Sequence, residues 1–462
     1  MQVLHRFFCS LAFGLTTAVI LVAPWIFGAW EMWGFWPFAV VLFVAAICLG
    51  LCWVCGAAGR DGGGVPRDGI CILAAFLPFL VYAFVRFQQA DVYQDAERAF
   101  LLHATALLVG LIVVTRAGPR ARRVLFLLIA ADLFALGAYG LSNHWIGGNR
   151  TVMWVPGFPG YIAAHRATGS YFCPDHFSGI MEFAVCIGVA LLLRGRGVTL
   201  RVAGGVLMGM GAMGVVLSKS RGGGLTLVVV ALATLVWGFS HMPRATRNWW
   251  RLTACAVLLA GMILLAHFAE AYLERMGSYV GLKEARQKPM REAVVFVIDG
   301  FKQQDRALMF AGAVRAWRTH PWVGIGPGMH PNLWPHFGPT PDGDRAARRW
   351  PTRLNNDYVS NAVHNDWMQL LEEYGVIGFV LFLVPATLGW CALLRRVRDG
   401  ARDRDGVDGA MPLAALLVVV AMAFHALGDF NLQMPATAWM FAALIALSFG
   451  TTTDYTDGTD SA

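Results

Sequence analysis

Trp33-Gly34-Phe35-Trp36-Pro37-Phe38-Ala39-Val40-Val41-Leu42-Phe43-Val44-Ala45-Ala46-Ile47-Cys48-Leu49-Gly50-Leu51-Cys52-Trp53-Val54-Cys55 contains no charged side chain. A run of that length is what a helix needs to cross the hydrocarbon core of a bilayer, about 20 residues. Equivalent blocks lie on both sides of it, at 8–27, 70–87, 99–115, 124–141, 177–193, 202–217, 224–239, 252–268, 375–394, 411–427 and 434–449. Twelve spans are therefore expected. The whole chain has 462 residues, 57% hydrophobic and 14% charged, where soluble chains carry about 25% charged residues. A disordered chain and a soluble nucleic-acid binder are both excluded, and length here counts helices, not domains.

The first block follows His5 and Arg6 as a signal peptide does, but Pro24, Trp25 and bulky residues stand where a cleavage site needs small ones, so it is read as a retained helix. The formal charge of +8 is explained largely by position. With both termini cytoplasmic, the interior loops hold Arg60, Arg67, Arg116, Arg120, Arg122, Arg123, Arg194, Arg196, Arg201, Arg244, Arg247, Arg251 and the cluster from Arg395 to Arg404. The first and last exterior loops offer only Glu31 and Asp429. This is the positive-inside pattern, and it leaves the interior arginines with a structural role. Residues 1–268 then hold nine spans, 269–365 form one large, partly helical exterior loop, 366–450 hold three more spans, and 451–462 are a cytoplasmic tail. The fold class is an all-α polytopic membrane protein.

Two features depart from that pattern. Lys219 and Arg221 sit in a short exterior turn, where orientation disfavours cations; they are either functional or a snorkelling pair at a helix end. The large loop holds thirteen cations and nine anions between 269 and 363, a balance suited to an anionic ligand. Within it, 304–319 reads as an amphipathic helix with Arg315 and Arg318 on one side, stopped by Pro321. The tight turn Gly324-Ile325-Gly326-Pro327-Gly328 follows; lacking a strand before it and a helix after it, it is not a nucleotide-binding loop. His364 precedes a short interfacial helix that Asn365 or Asp366 can cap, and by itself is either a surface hydrogen-bonded group or a base.

Most of the nine cysteines lie in or beside apolar blocks, so no disulfide framework is expected. Cys52-x-x-Cys55 has no second Cys or His pair following it at zinc spacing and is read as packing residues, with no metal site expected.

Four segments together resemble the bacterial O-antigen ligase superfamily, which includes O-antigen polymerases and protein O-oligosaccharyltransferases. They are Arg166-Ala167-Thr168-Gly169-Ser170-Tyr171-Phe172-Cys173-Pro174-Asp175-His176, the turn Ser218-Lys219-Ser220-Arg221-Gly222-Gly223, the stretch from Arg315 to Gly328, and His364-Asn365-Asp366-Trp367-Met368-Gln369-Leu370-Leu371-Glu372-Glu373-Tyr374-Gly375. Asp429-Phe430-Asn431-Leu432-Gln433-Met434-Pro435 is similar to the family's ending, so the likeness runs over about 166–435. Asp175 where Asn is usual, Met368 where Leu is common, and Met329-His330 after the glycines are departures that leave the acceptor open.

The resemblance implies a GT-C-like glycosyltransferase of the bacterial inner membrane, with no cofactor and no metal. Its donor would be a polyprenyl diphosphate-linked glycan and its acceptor a lipid A-core or other hydroxyl. Arg221 and Arg315 would hold the diphosphate and His364 would be the base, with inversion at the sugar. Lys219, Arg318, His176, Asp175 and Arg166 would line the substrates, and Asp366 or Glu373 would orient the imidazole. A polymerase, a protein oligosaccharyltransferase and, in another class, a secondary transporter remain the alternatives. Against transport stand the absence of an internal repeat and the scarcity of ionisable groups mid-span, where only His103, Asp132 and His425 come close.

Overall fold

The computed structural model describes residues 1–56, 67–146, 166–241, 287–302, 305–338, 360–403 and 406–449. Among these residues the regular elements are all helices. In chain order they are α1 (Gln2–Val22), α2 (Met32–Gly56), α3 (Arg67–Ala75), α4 (Leu77–Gln88), α5 (Tyr93–Arg116), α6 (Pro119–Trp145), α7 (Pro174–Arg194), α8 (Gly197–Ser218) and α9 (Arg221–His241). After the start of the large loop come α10 (Met290–Lys302), α11 (Asp305–Thr319), α12 (His330–Phe337), α13 (Asp366–Asp403), α14 (Val407–His425) and α15 (Pro435–Leu447).

Ten stretches among the described residues are long and apolar enough to cross a membrane, α3 and α4 together making one, and α15 is a shorter apolar helix. The chain is a multi-pass membrane protein. The span expected at 252–268 lies outside the described residues, as do 269–286, 339–359 and the tail.

Local sequence sets the helix ends. Pro119, Pro174 and Pro435 begin α6, α7 and α15, where a missing N–H costs nothing. Lys219 ends α8 in the left-handed conformation at φ 51°. α7 is the central helix, buried along nearly its whole length. It meets α8 backbone to backbone: a Cβ on Gly188 would lie 2.5 Å from the Met208 nitrogen. Such contact is how helices associate in a bilayer, where burial from water gives no drive.

The three ionisable groups expected nearest mid-span are hydrogen-bonded inside the bundle; His425 proves to end α14, and its partner Glu182 lies nearer the middle of α7. His103 Nδ1 lies 2.8 Å from the Ala99 carbonyl, Trp25 Nε1 donates to Asp132 at 2.7 Å, and His425 Nδ1 lies 2.6 Å from Glu182 Oε1.

The bundle has two polar ends of different character. At one, Arg122 Nε donates to the Leu447 carbonyl at 3.0 Å, Arg123 pairs with Asp408, and Arg396 pairs with Asp68 at 3.2 Å. Cys9 and Cys52 are joined there as a disulfide, against the expectation from sequence. The reason is the α1–α2 hairpin, which folds residues 43 apart in sequence onto each other. The other end gathers Arg166, Asp175, Arg306, His364 and Asp429.

Candidate active site

His364 stands just before α13 with φ 54°, a left-handed conformation that a non-glycine residue adopts only when its surroundings impose it. The constraints are visible. Asn365 Oδ1 accepts the Met368 N–H at 2.8 Å, making Asn365 the helix cap, and Asn365 Nδ2 donates to the Leu427 carbonyl at 2.9 Å. The Asp366 N–H reaches the Ala426 carbonyl at 2.9 Å. The imidazole is thereby fixed against the segment that follows α14.

That segment supplies Asp429, which is fully buried. Asp429 Oδ1 lies 3.0 Å from His364 Nδ1 and also accepts the Phe430 N–H at 3.0 Å, while Oδ2 accepts from Arg306 Nη2 at 3.2 Å. Burial alone would raise its pKa, but the Arg306 charge and the His364 bond outweigh it and hold the carboxyl well below the usual range. An ionised Asp429 can only accept, so His364 donates through Nδ1–H and its Nε2 carries the lone pair. The ring is about a quarter exposed and stands edge-on to Phe430, with centroids 4.7 Å apart.

Arg306, in the first turn of α11, bridges two carboxylates, donating from Nη2 to Asp175 Oδ2 and Asp429 Oδ2, each at 3.2 Å. Asp175 also accepts from Arg166 Nη2 at 2.7 Å, and Arg166 Nε donates to the Ser218 carbonyl at 2.7 Å. The turn holding Lys219 and Arg221 is thus tied to the carboxylates from behind. Ser220 caps α9, its Oγ accepting the Gly223 N–H at 3.2 Å, so Arg221 begins that helix. Asp305, beside Arg306 at the start of α11, has its pKa raised by burial, against the opposing charges of His364, Arg221 and Arg306.

The other residues expected at the site divide. His176 is buried with its ring edge-on to Phe430 at 4.5 Å, and its Nε2 is 3.9 Å from Asp429, too long for a hydrogen bond. Arg315 lies elsewhere: its Nε donates to the Phe337 carbonyl at 2.8 Å, binding α11 to α12. Arg318 is exposed at the far end of α11. Neither Asp366 nor Glu373 touches the imidazole. Asp366 accepts from Gln433 Nε2 at 3.0 Å and from the Leu432 N–H at 3.3 Å, and Glu373 accepts from the Gly328 N–H and Gln369 Nε2, each at 2.9 Å. The carboxylate against the imidazole is Asp429, and the α11 guanidinium that meets that carboxylate is Arg306.

The glycine turn after α11 has a mechanical role. Its N–H groups are already used: Gly324 donates to the His320 carbonyl, Ile325 to Glu372 and Gly326 to Glu373, at 2.8 to 3.0 Å. Gly324 has φ 74°, and a Cβ there would sit 2.4 Å from the Glu373 carbonyl. Facing it, Gly375 breaks α13 at φ 65°, and the Val376 and Ile377 N–H groups donate back to Pro321 and Trp322. The two backbones interlock, locking this turn to α13, the helix that follows His364. A buried cluster reinforces the lock, with His330 between Glu372 at 2.9 Å and Ser360 at 3.0 Å.

Beside the site, a cavity of about 350 Å³ runs into the bundle among α3, α4, α5, α13 and α15. Its walls are apolar, Phe76, Phe79, Leu102, Phe382 and Phe441 among them, and Asp95, Arg98, Asp366 and Glu373 stand among its polar lining. Phe430 separates the His364 ring from Trp30, which also lines the cavity.

Sequence reading missed Asp429 and Arg306 as site residues. Asp429 was in view as the lone acid of the last exterior loop, and Arg306 was one cation among thirteen. What singles them out is proximity across 65 and 123 residues of chain.

No curated protein matches this chain. Residues 203–383 match the family model described as O-antigen ligase, a stretch that includes Arg221, Arg306, the glycine turn and His364. Over that stretch the chain is similar to the O-antigen ligase family, whose members are glycosyltransferase-type enzymes acting in the membrane on lipid-linked glycans.

Proposed function

We propose that the chain transfers a glycan from a polyprenyl diphosphate carrier to a hydroxyl acceptor of the lipid A-core type, at the periplasmic face of the bacterial inner membrane. The observation that carries this reading is His364, turned by an ionised, buried Asp429 so that Nε2 is its basic atom, with Arg306 on the other oxygen of that carboxylate. A neutral imidazole is matched to removing a hydroxyl proton near neutral pH. His364 takes that proton as the acceptor oxygen bonds to the anomeric carbon. The bond from that carbon to the diphosphate oxygen breaks in the same displacement, and the lipid diphosphate leaves with the electron pair.

Diphosphate needs its developing charge met more than it needs a proton, and Arg221, with Lys219 in the same turn, is positioned to meet it. These side chains supply the positive charge without a metal. Arg306 holds the two carboxylates and keeps Asp429 ionised. Direct displacement, with His364 as the base, inverts the anomeric centre. The apolar cavity beside the site is suited to the lipid chain of a substrate.

The test uses purified protein in a bilayer with a defined carrier-linked glycan, offered lipid and protein acceptors in parallel. Transfer to lipid is expected, and His364→Ala and Arg221→Ala should each abolish it while the protein stays inserted. Near-normal transfer by either variant overturns the mechanism. Transfer only to protein, or only chain extension on the carrier, replaces the acceptor by that of an oligosaccharyltransferase or a polymerase.

A further inference from the structure

We propose that His5, Cys9 and Cys52 form a soft divalent metal site, best matched to Zn²⁺, at the end of the bundle opposite the active site. The inference is independent of the transfer reaction. A second ligand pair does accompany Cys52-x-x-Cys55; it precedes that motif, on α1. His5 and Cys9 are four residues apart and share a helix face, and Cys55 lies one turn beyond Cys52. The α1–α2 hairpin brings the pairs together, so that ligand atoms of His5, Cys9 and Cys52 all lie within 4.8 Å of one another. Among the described residues no other group of three His, Cys, Asp or Glu side chains does so.

The histidine is prepared as a ligand. His5 Nδ1 lies 2.8 Å from the Cys52 carbonyl, an acceptor, so Nδ1 carries the proton and Nε2 the lone pair. A metal-binding histidine is ordinarily fixed in this way, by donating its other N–H to a carbonyl or carboxylate. Nε2 is 3.7 Å from Cys9 Sγ, close to the separation of about 3.6 Å that tetrahedral Zn–N and Zn–S bonds impose. Arg116 Nη1 approaches Cys9 Sγ at 3.3 Å and Cys52 Sγ at 3.1 Å. A guanidinium there favours thiolates and hydrogen-bonds them as an outer shell. A disulfide by itself requires neither the oriented imidazole nor the cation.

The Cys9–Cys52 disulfide and the metal site are two states of the same atoms. The positive-inside pattern puts this end in the cytoplasm, where disulfides are kept reduced. A cytosolic dithiol gives two electrons and two protons to the disulfide and is itself oxidised to a disulfide. The two thiols formed then release their protons as the metal binds. Two sulfurs and an imidazole nitrogen are the donor set that selects Zn²⁺ over hard cations. The bound ion would join α1 and α2, with α5 attached through Arg116.

The experiment takes the full chain, purified in detergent under anaerobic reducing conditions. Zinc is measured by mass spectrometry, and Co²⁺ is exchanged in to look for sulfur-to-cobalt charge-transfer absorption. About one zinc per chain is expected, with intense cobalt bands that Cys9→Ser and Cys52→Ser abolish and His5→Asn weakens. Size-exclusion profiles of the variants establish that each is folded, and the milder His5→Asn serves if the serine variants are not. Absence of cobalt bands from the reduced wild type overturns the proposal, as do bands unchanged in the folded variants. So does thiol trapping in intact cells that finds Cys9 and Cys52 bridged throughout the population.

Discussion

At one end of the bundle Arg122 donates to the Leu447 carbonyl and Arg123 pairs with Asp408 near the surface; at the other, Arg306 spans Asp175 and Asp429, and Arg221 begins α9. The residue type is the same and the surroundings differ. The first set satisfies a helix end and makes surface pairs, which contribute little energy and which membrane orientation alone would retain. The second set surrounds a buried carboxylate. Its charges are partly withdrawn from water, where each acts more strongly on its neighbours. The comparison teaches that surplus charge in a membrane protein becomes informative when it is found against buried partners, not when it is counted.

The largest test of this contrast is Asp429→Asn. An asparagine keeps the shape but no longer fixes the Nδ1–H tautomer of His364 or balances its charge during proton transfer. A fall in kcat of about 10²- to 10⁴-fold is expected, the range for disabling a general base, with KM for the carrier-linked donor changed far less. Turnover within about threefold of wild type would mean that Asp429 does not act through His364.

Next come Arg306→Gln and Arg315→Gln, measured side by side. The first leaves Asp175 and the buried Asp429 short of a cation and should lower transfer at least about tenfold, more than about 1.4 kcal/mol. The second loses the bond to the Phe337 carbonyl, a matter of about 1 kcal/mol of loop stability, with turnover nearly intact. The reverse order of effects would show that Arg315 matters to transfer more than the Arg306 bridge between the carboxylates.

The loop lock gives a third. Gly324→Ala places a Cβ against the Glu373 carbonyl in a left-handed conformation that costs a non-glycine residue about 1–2 kcal/mol before any clash. Melting temperature and activity should fall together, since the interlock with Gly375 positions the helix that follows His364. An unchanged melting temperature would show that the turn does not restrain the loop.

These contrasts mark where sequence reading stopped. Span positions were legible because a bilayer demands apolar runs of fixed length, and eleven of the twelve blocks coincide with helices among the described residues. Arg221 stood out as a cation against the orientation rule, and His364 as an imidazole at a helix mouth. Asp429 stayed hidden because its partner lies 65 residues away and the pairing depends on how α14 ends. Arg306 and Arg315 belong to the same helix, and only its docking decides which guanidinium meets the carboxylates. The glycine turn was the least legible, because its partners are backbone carbonyls, which side-chain identities do not announce. The Cys9–Cys52 contact was illegible for a related reason: it depends on the α1–α2 hairpin, which brings together residues 43 apart in sequence.

Acid sharpens the contrast further. The folded pKa of Asp429 is lowered, so its contribution to stability is fully present above the unfolded value of about 4 and is lost as pH falls through the folded one. Between pH 7 and 5 this contribution is constant. Below about pH 4 the wild type should lose stability more steeply than Asp429→Asn, measured as melting temperature against pH. Parallel curves would mean that Asp429 is not held ionised by Arg306 and His364.

The smallest effect belongs to the opposite end. Arg123 is more than half exposed, and its pair with Asp408 faces solvent. Exposed pairs contribute about 0–1 kcal/mol, so Arg123→Ala should leave transfer within about twofold of wild type and the melting temperature within a few degrees. Orientation is the property the positive-inside pattern assigns to this residue, and with Arg116, Arg120 and Arg122 still at the same end, one substitution should not invert the chain; cysteine accessibility from the two sides of the membrane would report it. A loss of activity comparable to that of Arg306→Gln, in a variant still correctly inserted, would break the division between the two ends. It would mean that the α6–α14 contact carries strain to the site through the length of α14, whose last residue, His425, accepts the Asp429 N–H on its carbonyl.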